Sequence, residues 1–420
     1  MPSPTLTLLG GANEVGKSGY LLSAESEALL FDYGLQMTEP LTFPEVPEKV
    51  DSIILSHAHL DHSGGLPYLR KRKYFAVYGL DVTFDVARLL LHDSVKVNEL
   101  KKLHQYYSDG DVDRLEECEI SLKYGKERKL GEEFKVTLFD AGHIPGSSGV
   151  LAEVDDKKIF YSGDTKSEDT FLLSRADYPK ADVLISESTY GDRLHPDRDE
   201  TVSEFINTIE DTCDRGGVAI IPSFAVGRSQ EILMMLDSLP YPVYLDGMSK
   251  SVIKIFLNYP EYLRDPDLLQ KAANNAKWVY NSRTRREAVK EPCVIVTTAG
   301  MLTGGPVLDY LSRAGKNPKN SVLLVGYQVE GTNGRRLLEE GYVIDELIDK
   351  RIPVKAQVHF FDFSAHSDQN DLVEMAGEVS PKKIVLVHGQ DESRQALAEK
   401  LSERYEVYTP KNGEKIDLDI

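Results

Sequence analysis

The chain has 420 residues, 41% of them hydrophobic and 28% charged, with a formal net charge of −19. That length exceeds what one simple core accommodates and predicts two or three domains of ordinary globular composition. The acidic balance excludes a protein that coats nucleic acid with its whole surface, while leaving room for a local basic strip. Residues 1–22 lack the basic start and apolar centre of a secretory leader, and no window holds the ~18 apolar residues of a membrane helix; a cytoplasmic address and no membrane partner are expected. Cys118, Cys213 and Cys293 stand far apart and form no metal-binding pair, so they read as small buried hydrophobes in a reduced compartment.

Short strands are predicted at 5–9, 19–23 and 28–32, separated by glycine and asparagine turns. Asp32 closes the apolar run Leu29-Leu30-Phe31. Alone it reads as a turn former; beside a histidine cluster it gains a second role, accepting the N–H of a ligating imidazole and fixing its tautomer. A strand at 53–55 then delivers Ser56-His57-Ala58-His59-Leu60-Asp61-His62. Three imidazoles and a carboxylate leaving one buried strand end bring several ligands into a small volume, which suits zinc. Gly64-Gly65-Leu66-Pro67 opens a short helix. Residues 79–105 are apolar at helical spacing, with Val86, Leu89, Leu90, Val97 and Leu100 on the expected buried face. His92 and His104 have no partner pattern and read as surface or packing histidines. Asp111 is the expected N-cap of the next helix.

A strand at 134–139 leads into the glycine-rich loop that carries His143, a geometry suited to a distant ligand but undecided on its own. A hairpin at 150–154 and 157–161 ends in Ser162-Gly163-Asp164, and a strand at 183–185 ends in Ser186-Glu187. The repeated rule, an apolar run followed by a ligand-type residue, fits layered α/β folds whose sites gather at strand ends. From 201 to 342, helices at 202–213 and 229–239 alternate with strands at 218–221, 243–245, 294–297 and 322–325, which predicts a separate α/β domain of about 150 residues. Its glycine-rich strand ends, Thr298-Ala299-Gly300-Met301 and Gly326-Tyr327-Gln328, lie among Arg228, Arg283, Arg285, Arg286, Arg335 and Arg336 and suit phosphate binding. For each arginine singly, a solvated face is the commoner role. A strand at 354–361 runs into Ser364-Ala365-His366-Ser367-Asp368, a strand at 384–387 into His388, and the last helix, 393–404, reads as structural.

Taken together, Asp32, the His57 cluster, His143, Asp164, Glu187, His366 and His388 resemble the motif set of the metallo-β-lactamase superfamily, in its β-CASP nuclease branch, over nearly the whole chain. His57, His59, Asp61 and His62 match the second superfamily motif, His143 the third and Asp164 the fourth, while Glu187, His366 and His388 match the three β-CASP motifs. Pro222-Ser223-Phe224-Ala225-Val226-Gly227-Arg228, Gly300-Met301-Leu302, Gly326-Tyr327-Gln328 and Phe363-Ser364-Ala365-His366-Ser367-Asp368 look like the archaeal and eukaryotic cleavage and polyadenylation factor nucleases, with RNase J a relative. The resemblance implies an α/β fold, a metallo-β-lactamase αββα sandwich over 1–190 and 346–420 with a β-CASP domain inserted at 191–345. Where this sequence departs from larger homologues, neither N-terminal KH modules nor the extra C-terminal domain of RNase J is expected.

By the same resemblance the cofactors are two zinc ions. One is held by His57, His59, His143 and Asp164, the other by Asp61, His62, Asp164 and His388, with Asp164 shared and Asp32 behind the cluster. Such ions lower the pKa of water toward neutrality and offset phosphoryl charge, so a phosphodiester is cleaved without a protein nucleophile. Catalysis is assigned to Asp61, His366 and Glu187: His366 donates the leaving-group proton and Glu187 orients it. Histidine at 388 goes with RNA-processing members, so the expected activity is a ribonuclease acting on single-stranded RNA, as an endonuclease, a 5′–3′ exonuclease or both. Arg228, Gln328, Arg335 and Arg336 are the candidate phosphate contacts, with salt-sensitive binding. A homodimer or a complex with other processing factors is the partner expectation. The rival readings are a DNA-directed or small-ester metallohydrolase and, in another class, a non-catalytic RNA-binding subunit, which should lack metal residues.

Overall fold

The computed structural model describes residues 3–419. The chain divides into two compact units, Met1–Asp169 with Ser174–Leu194 and His366–Ile420, and Thr170–Leu173 with His195–Ala365.

The first unit contains two seven-stranded sheets. In spatial order one runs Lys415–Asp417, Thr5–Gly10, Gly19–Ser23, Ala28–Phe31, Ser52–Ile54, Ala76–Gly79 and Glu119–Ser121. The other runs Glu406–Tyr408, Lys383–Val387, Val183–Glu187, Lys157–Tyr161, Ser148–Val154, Phe134–Asp140 and Arg128–Leu130. Their inner faces meet: the Tyr161 ring lies 5.3 Å from Phe31 and 5.4 Å from Tyr20. On the outside, helices Gln369–Val379 and Asp391–Leu401 press Leu372, Met375, Val379, Leu397 and Leu401 onto Leu151, Phe160, Leu184 and Ile384. Helix Asp81–Leu100 covers the other sheet, with Phe84, Ala87 and Leu91 beside Leu55 and Val77. This is an αββα sandwich. Strands covered on both faces must be apolar at successive positions, and Val183–Glu187 is buried throughout.

The second unit is built on a six-stranded sheet in the order Lys277–Trp278, Val243–Asp246, Cys293–Thr297, Val218–Pro222, Ser321–Leu324, Gln357–Phe360, with every pairing parallel. Period-two alternation divides its side chains between two cores. Ala219, Ile221, Val294, Val296 and Leu323 face Phe205, Ile209, Ile232 and Leu233, whereas Val218, Ile220, Cys293, Ile295 and Val322 face Val307, Leu308, Tyr310 and Leu311.

Three local expectations are corrected. The strand expected in the C-terminal part, observed as Gln357–Phe360, pairs with Ser321–Leu324 and so extends the sheet of the second unit. Helix Asp81–Leu100 buries Phe84, Ala87, Leu91, Val95 and Asn98, while Leu100 is 61% exposed. Of the five aliphatic residues expected on the buried face, Val86 is buried while Leu89, Leu90 and Val97 are half-buried, and the buried stripe includes small and polar positions. Ser108, not Asp111, is the N-cap of helix Asp109–Asp113; Asp111 is the reciprocal member of a capping box, accepting from the Ser108 amide. The three cysteines are buried thiols.

Candidate metal centre

Every residue of the candidate centre belongs to the first unit, and most sit at or just beyond the end of one of its strands. After Ser52–Ile54 the chain makes a single helical turn, Leu60–Ser63, closed by the His62 and Ser63 amides donating to the His59 carbonyl. That turn places His57 and His59 in one group of ligands and Asp61 and His62 in another. The approach is so close that a Cβ at Gly34 would stand 1.7 Å from the Asp61 carbonyl oxygen, so only glycine fits there. Asp164 follows Lys157–Tyr161, Glu187 ends its own strand, and His388 follows Lys383–Val387 in a left-handed conformation, φ +49°.

His57, His59, His143 and Asp164 offer ligand atoms that all lie within 4.8 Å of one another, and Asp61, His62, Asp164 and His388 do the same. In the first set, His59 Nδ1 is 3.2 Å from His57 Nε2 and 3.1 Å from His143 Nε2, and Asp164 Oδ2 is 3.6 and 3.7 Å from those two nitrogens. A tetrahedral zinc with bonds of ~2.0–2.1 Å needs ligand atoms about 3.3–3.4 Å apart, so this set fits the ion. The second set is looser: His62 Nε2 lies 3.4 Å from Asp164 Oδ1 and 3.9 Å from Asp61 Oδ2, and His388 Nε2 lies 3.4 Å from Asp61 Oδ2. Here His62 Nε2 and Asp164 Oδ1 are buried and make no hydrogen bond, an arrangement that is costly unless a cation sits against them.

Electrostatics point the same way. Burial, then the neighbouring His62, holds His57 well below the usual imidazole range, and burial also lowers His59, so both present neutral lone pairs. Burial opposes a charge on His62 as well, but Asp164, Asp32 and Asp61 outweigh it and drive that imidazole well above its ordinary value. Three carboxylates thus call for positive charge at this point.

Behind the candidate ligands, Asp32 is fully buried. Its Oδ1 accepts the Ser56 amide at 2.7 Å, and its Oδ2 accepts the Ser56 hydroxyl, His62 Nδ1 and the Tyr161 hydroxyl, each at 2.7 Å. Since Asp32 accepts a hydrogen bond from His62 Nδ1–H, the Nε2 lone pair of His62 is the one available to a metal. Glu187 is equally constrained, accepting the Thr165 amide at 2.7 Å and the Thr189 hydroxyl at 2.6 Å. Its remaining capacity meets His366 Nδ1 at 2.9 Å, while His366 Nε2 faces Asp164 Oδ2 at 4.0 Å. Burial disfavours a charged His366, yet Glu187 and Asp164 raise it to about 9.

Ser56, Tyr161, Thr165 and Thr189 escaped the sequence reading. Ser56 and Thr165 are immediate neighbours of ligands and Thr189 follows Glu187 by two, a signal of position alone. The arginine expectations change more. Arg228 is buried and ion-paired with Glu231, and buried Gln328 donates to the Gly300 and Gly326 carbonyls, so both are committed within the second unit. Arg335 pairs with Glu339 at 2.6 Å and Arg336 donates to Asn333 Oδ1 at 2.6 Å.

The sandwich and its paired ligand sets define a metallo-hydrolase of the metallo-β-lactamase type. Three family models match the chain: Anti-Pycsar protein Apyc1 over residues 7–195, Beta-Casp domain over 229–337 and Zn-dependent metallo-hydrolase RNA specificity domain over 351–410. The chain belongs to the β-CASP ribonuclease branch of that superfamily. It is 39% identical to a "Probable RNase MJ4" of Methanocaldococcus jannaschii, over 97% of this chain and 99% of that one. It is 37% identical to "RNase aCSPSF2" of Saccharolobus solfataricus (98% and 85%) and 34% identical to "Transcription termination factor FttA" of Thermococcus kodakarensis (98% and 71%). A solved protein of unknown function from Enterococcus faecalis V583 shares the fold, with a TM-score of 0.63 at 15% identity over 99% of this chain and 100% of that one.

Proposed function

We propose that this chain is a zinc-dependent ribonuclease of RNA processing that hydrolyses phosphodiester bonds of single-stranded RNA at a two-ion centre. The observation that carries the reading is the convergence of two full ligand sets on the shared, buried Asp164. His57, His59, His143 and Asp164 would hold one zinc, and Asp61, His62, Asp164 and His388 the other. When bound, paired zinc ions lower the pKa of water toward neutrality and offset negative charge on phosphoryl oxygens. The remaining work falls to the chain's own side chains. Asp32 keeps the His62 proton on Nδ1, and burial keeps His57 and His59 neutral for ligation. Glu187, pinned by Thr165 and Thr189, accepts a hydrogen bond from His366 Nδ1–H and leaves the Nε2 proton directed toward Asp164. That proton is available to the departing ribose oxygen, a poor leaving group without one. The complete ligand sets argue against a scaffold subunit, and the relatives named as RNases support RNA as the substrate.

His366→Ala is expected to retain zinc yet lower the single-turnover rate by about 10²–10⁴-fold. An unchanged rate in a zinc-loaded variant would remove His366 from this role. The mode of cutting is read from one RNA offered as a 5′-triphosphate, a 5′-monophosphate and a circle, beside single-stranded DNA of the same sequence. Cleavage of the circle assigns an endonuclease; strong preference for the monophosphate assigns the 5′–3′ exonuclease mode. Faster turnover of DNA than of RNA would overturn the substrate assignment.

A further inference from the structure

We propose that Asn412 is a positioning residue for the second ligand set, acting through the loop 11–18. The inference rests on the two-ion reading above. Two ligands of that set hang on this loop by their backbones: the His388 amide donates to the Gly11 carbonyl at 2.8 Å, and the Ser18 amide donates to the Asp61 carbonyl at 2.8 Å. The first of these bonds matters doubly, because His388 is a non-glycine residue at φ +49°, a conformation that persists only where its surroundings fix it. The Gly11 carbonyl also accepts the hydroxyl of buried Tyr20 at 2.9 Å. The first ligand set is anchored elsewhere: the His143 amide donates to Ser147 Oγ at 3.1 Å, and His57 Nδ1 lies 3.1 Å from Ser56 Oγ.

What fixes the loop is therefore what fixes the second set. Between strands Thr5–Gly10 and Gly19–Ser23 its course is irregular, with Gly11 at φ +68°, Gly16 at +121° and Lys17 at +37°. No ladder dictates such a path. Asn412 grips it at two points: its Oδ1 accepts the buried Ala12 amide at 2.9 Å, and its Nδ2 donates to Glu14 Oε1 at 2.5 Å. Glu14 is paired in turn with Lys17 at 3.2 Å. Asn412 is itself placed by the turn that precedes strand Lys415–Asp417, where the Gly413 amide donates to the Leu8 carbonyl at 2.6 Å and the strand pairs antiparallel with Thr5 to Thr7. The turn before strand Lys415–Asp417 thus brings an amide side chain to the loop that holds the Asp61 and His388 backbones. Groups that hydrogen-bond a metal ligand directly change metal affinity by about 10–100-fold when removed, and Asn412, one step further out, is expected at the lower end of that range.

The test is zinc loading of the full chain in chelator-buffered zinc, read as ions per chain by native mass spectrometry, with far-UV circular dichroism confirming the fold. The wild type is expected to fill in two steps. Asn412→Ala should move the second step to about ten-fold higher free zinc and leave the first in place. The exchanged pair Asn412→Asp with Glu14→Gln, which restores an acceptor for Ala12 and a donor at the other point, should bring the second step back. Equal displacement of both steps, no displacement, or no recovery in the exchanged pair overturns the positioning role. A wild type that takes up only one zinc fails the two-ion reading instead, so the two failures are distinguishable.

Discussion

Asp32 shows what one buried carboxylate can organise. It accepts hydrogen bonds from Ser56, His62 and Tyr161 without access to water, so its removal strands several polar groups at once. Asp32→Ala is expected to cost about 3 kcal/mol in urea unfolding of the zinc-loaded protein and to weaken zinc by about ten-fold or more. A variant as stable as wild type would contradict the account of His62. The candidate ligands stand out in the sequence because ligand-type residues recur after apolar runs, but their sorting into two sets comes from the family resemblance, and His143 is undecided on its own. The hydroxyls of Ser56, Tyr161, Thr165 and Thr189 were not legible, since a single donated hydrogen bond set by tertiary approach leaves no periodic trace. Arg228 misled for the opposite reason: composition suggests solvent, but Glu231 draws it inward.

Helix Asp81–Leu100 separates pattern from packing. Its amphipathic stretch was readable from spacing, yet its rotation was not, because Ala87, Ser94 and Asn98 belong to the buried stripe while Leu100 faces solvent. Leu91→Ala is expected to destabilise by about 2–5 kcal/mol, as a buried leucine lost from a packed layer does. Leu100→Ala should stay within about 0.5 kcal/mol of wild type. Chemical denaturation of the two variants decides which face is buried, and a reversed order would return the helix to its sequence-based orientation. In the parallel sheet the strands were the easier reading, since cover on both faces makes them continuous apolar runs. Sequence alone groups Gln357–Phe360 with the lactamase-like segment 346–420, because strand pairing is a long-range choice that local composition does not encode.

Across the whole molecule, the candidate metal centre lies in one compact unit and none of its ligands in the other. Ligand binding stabilises the structure that holds the ligand, by about 2.7 kcal/mol at a hundred-fold excess over Kd. Chelation should therefore speed amide hydrogen exchange in Lys157–Tyr161, Val183–Glu187 and Lys383–Val387 and leave Val218–Pro222 and Cys293–Thr297 unchanged. Equal acceleration in both units would contradict a metal centre confined to the first. The central claim is that zinc held by the two sets converging on Asp164 cuts RNA. Its most direct test is the single-turnover rate on a 5′-labelled single-stranded RNA, measured on the zinc-loaded wild type, the chelated protein, the re-zinced protein and His388→Ala. The account predicts cleavage that is lost on chelation, recovered with zinc and lost again in His388→Ala; undiminished cleavage by the chelated protein or by that variant would contradict it.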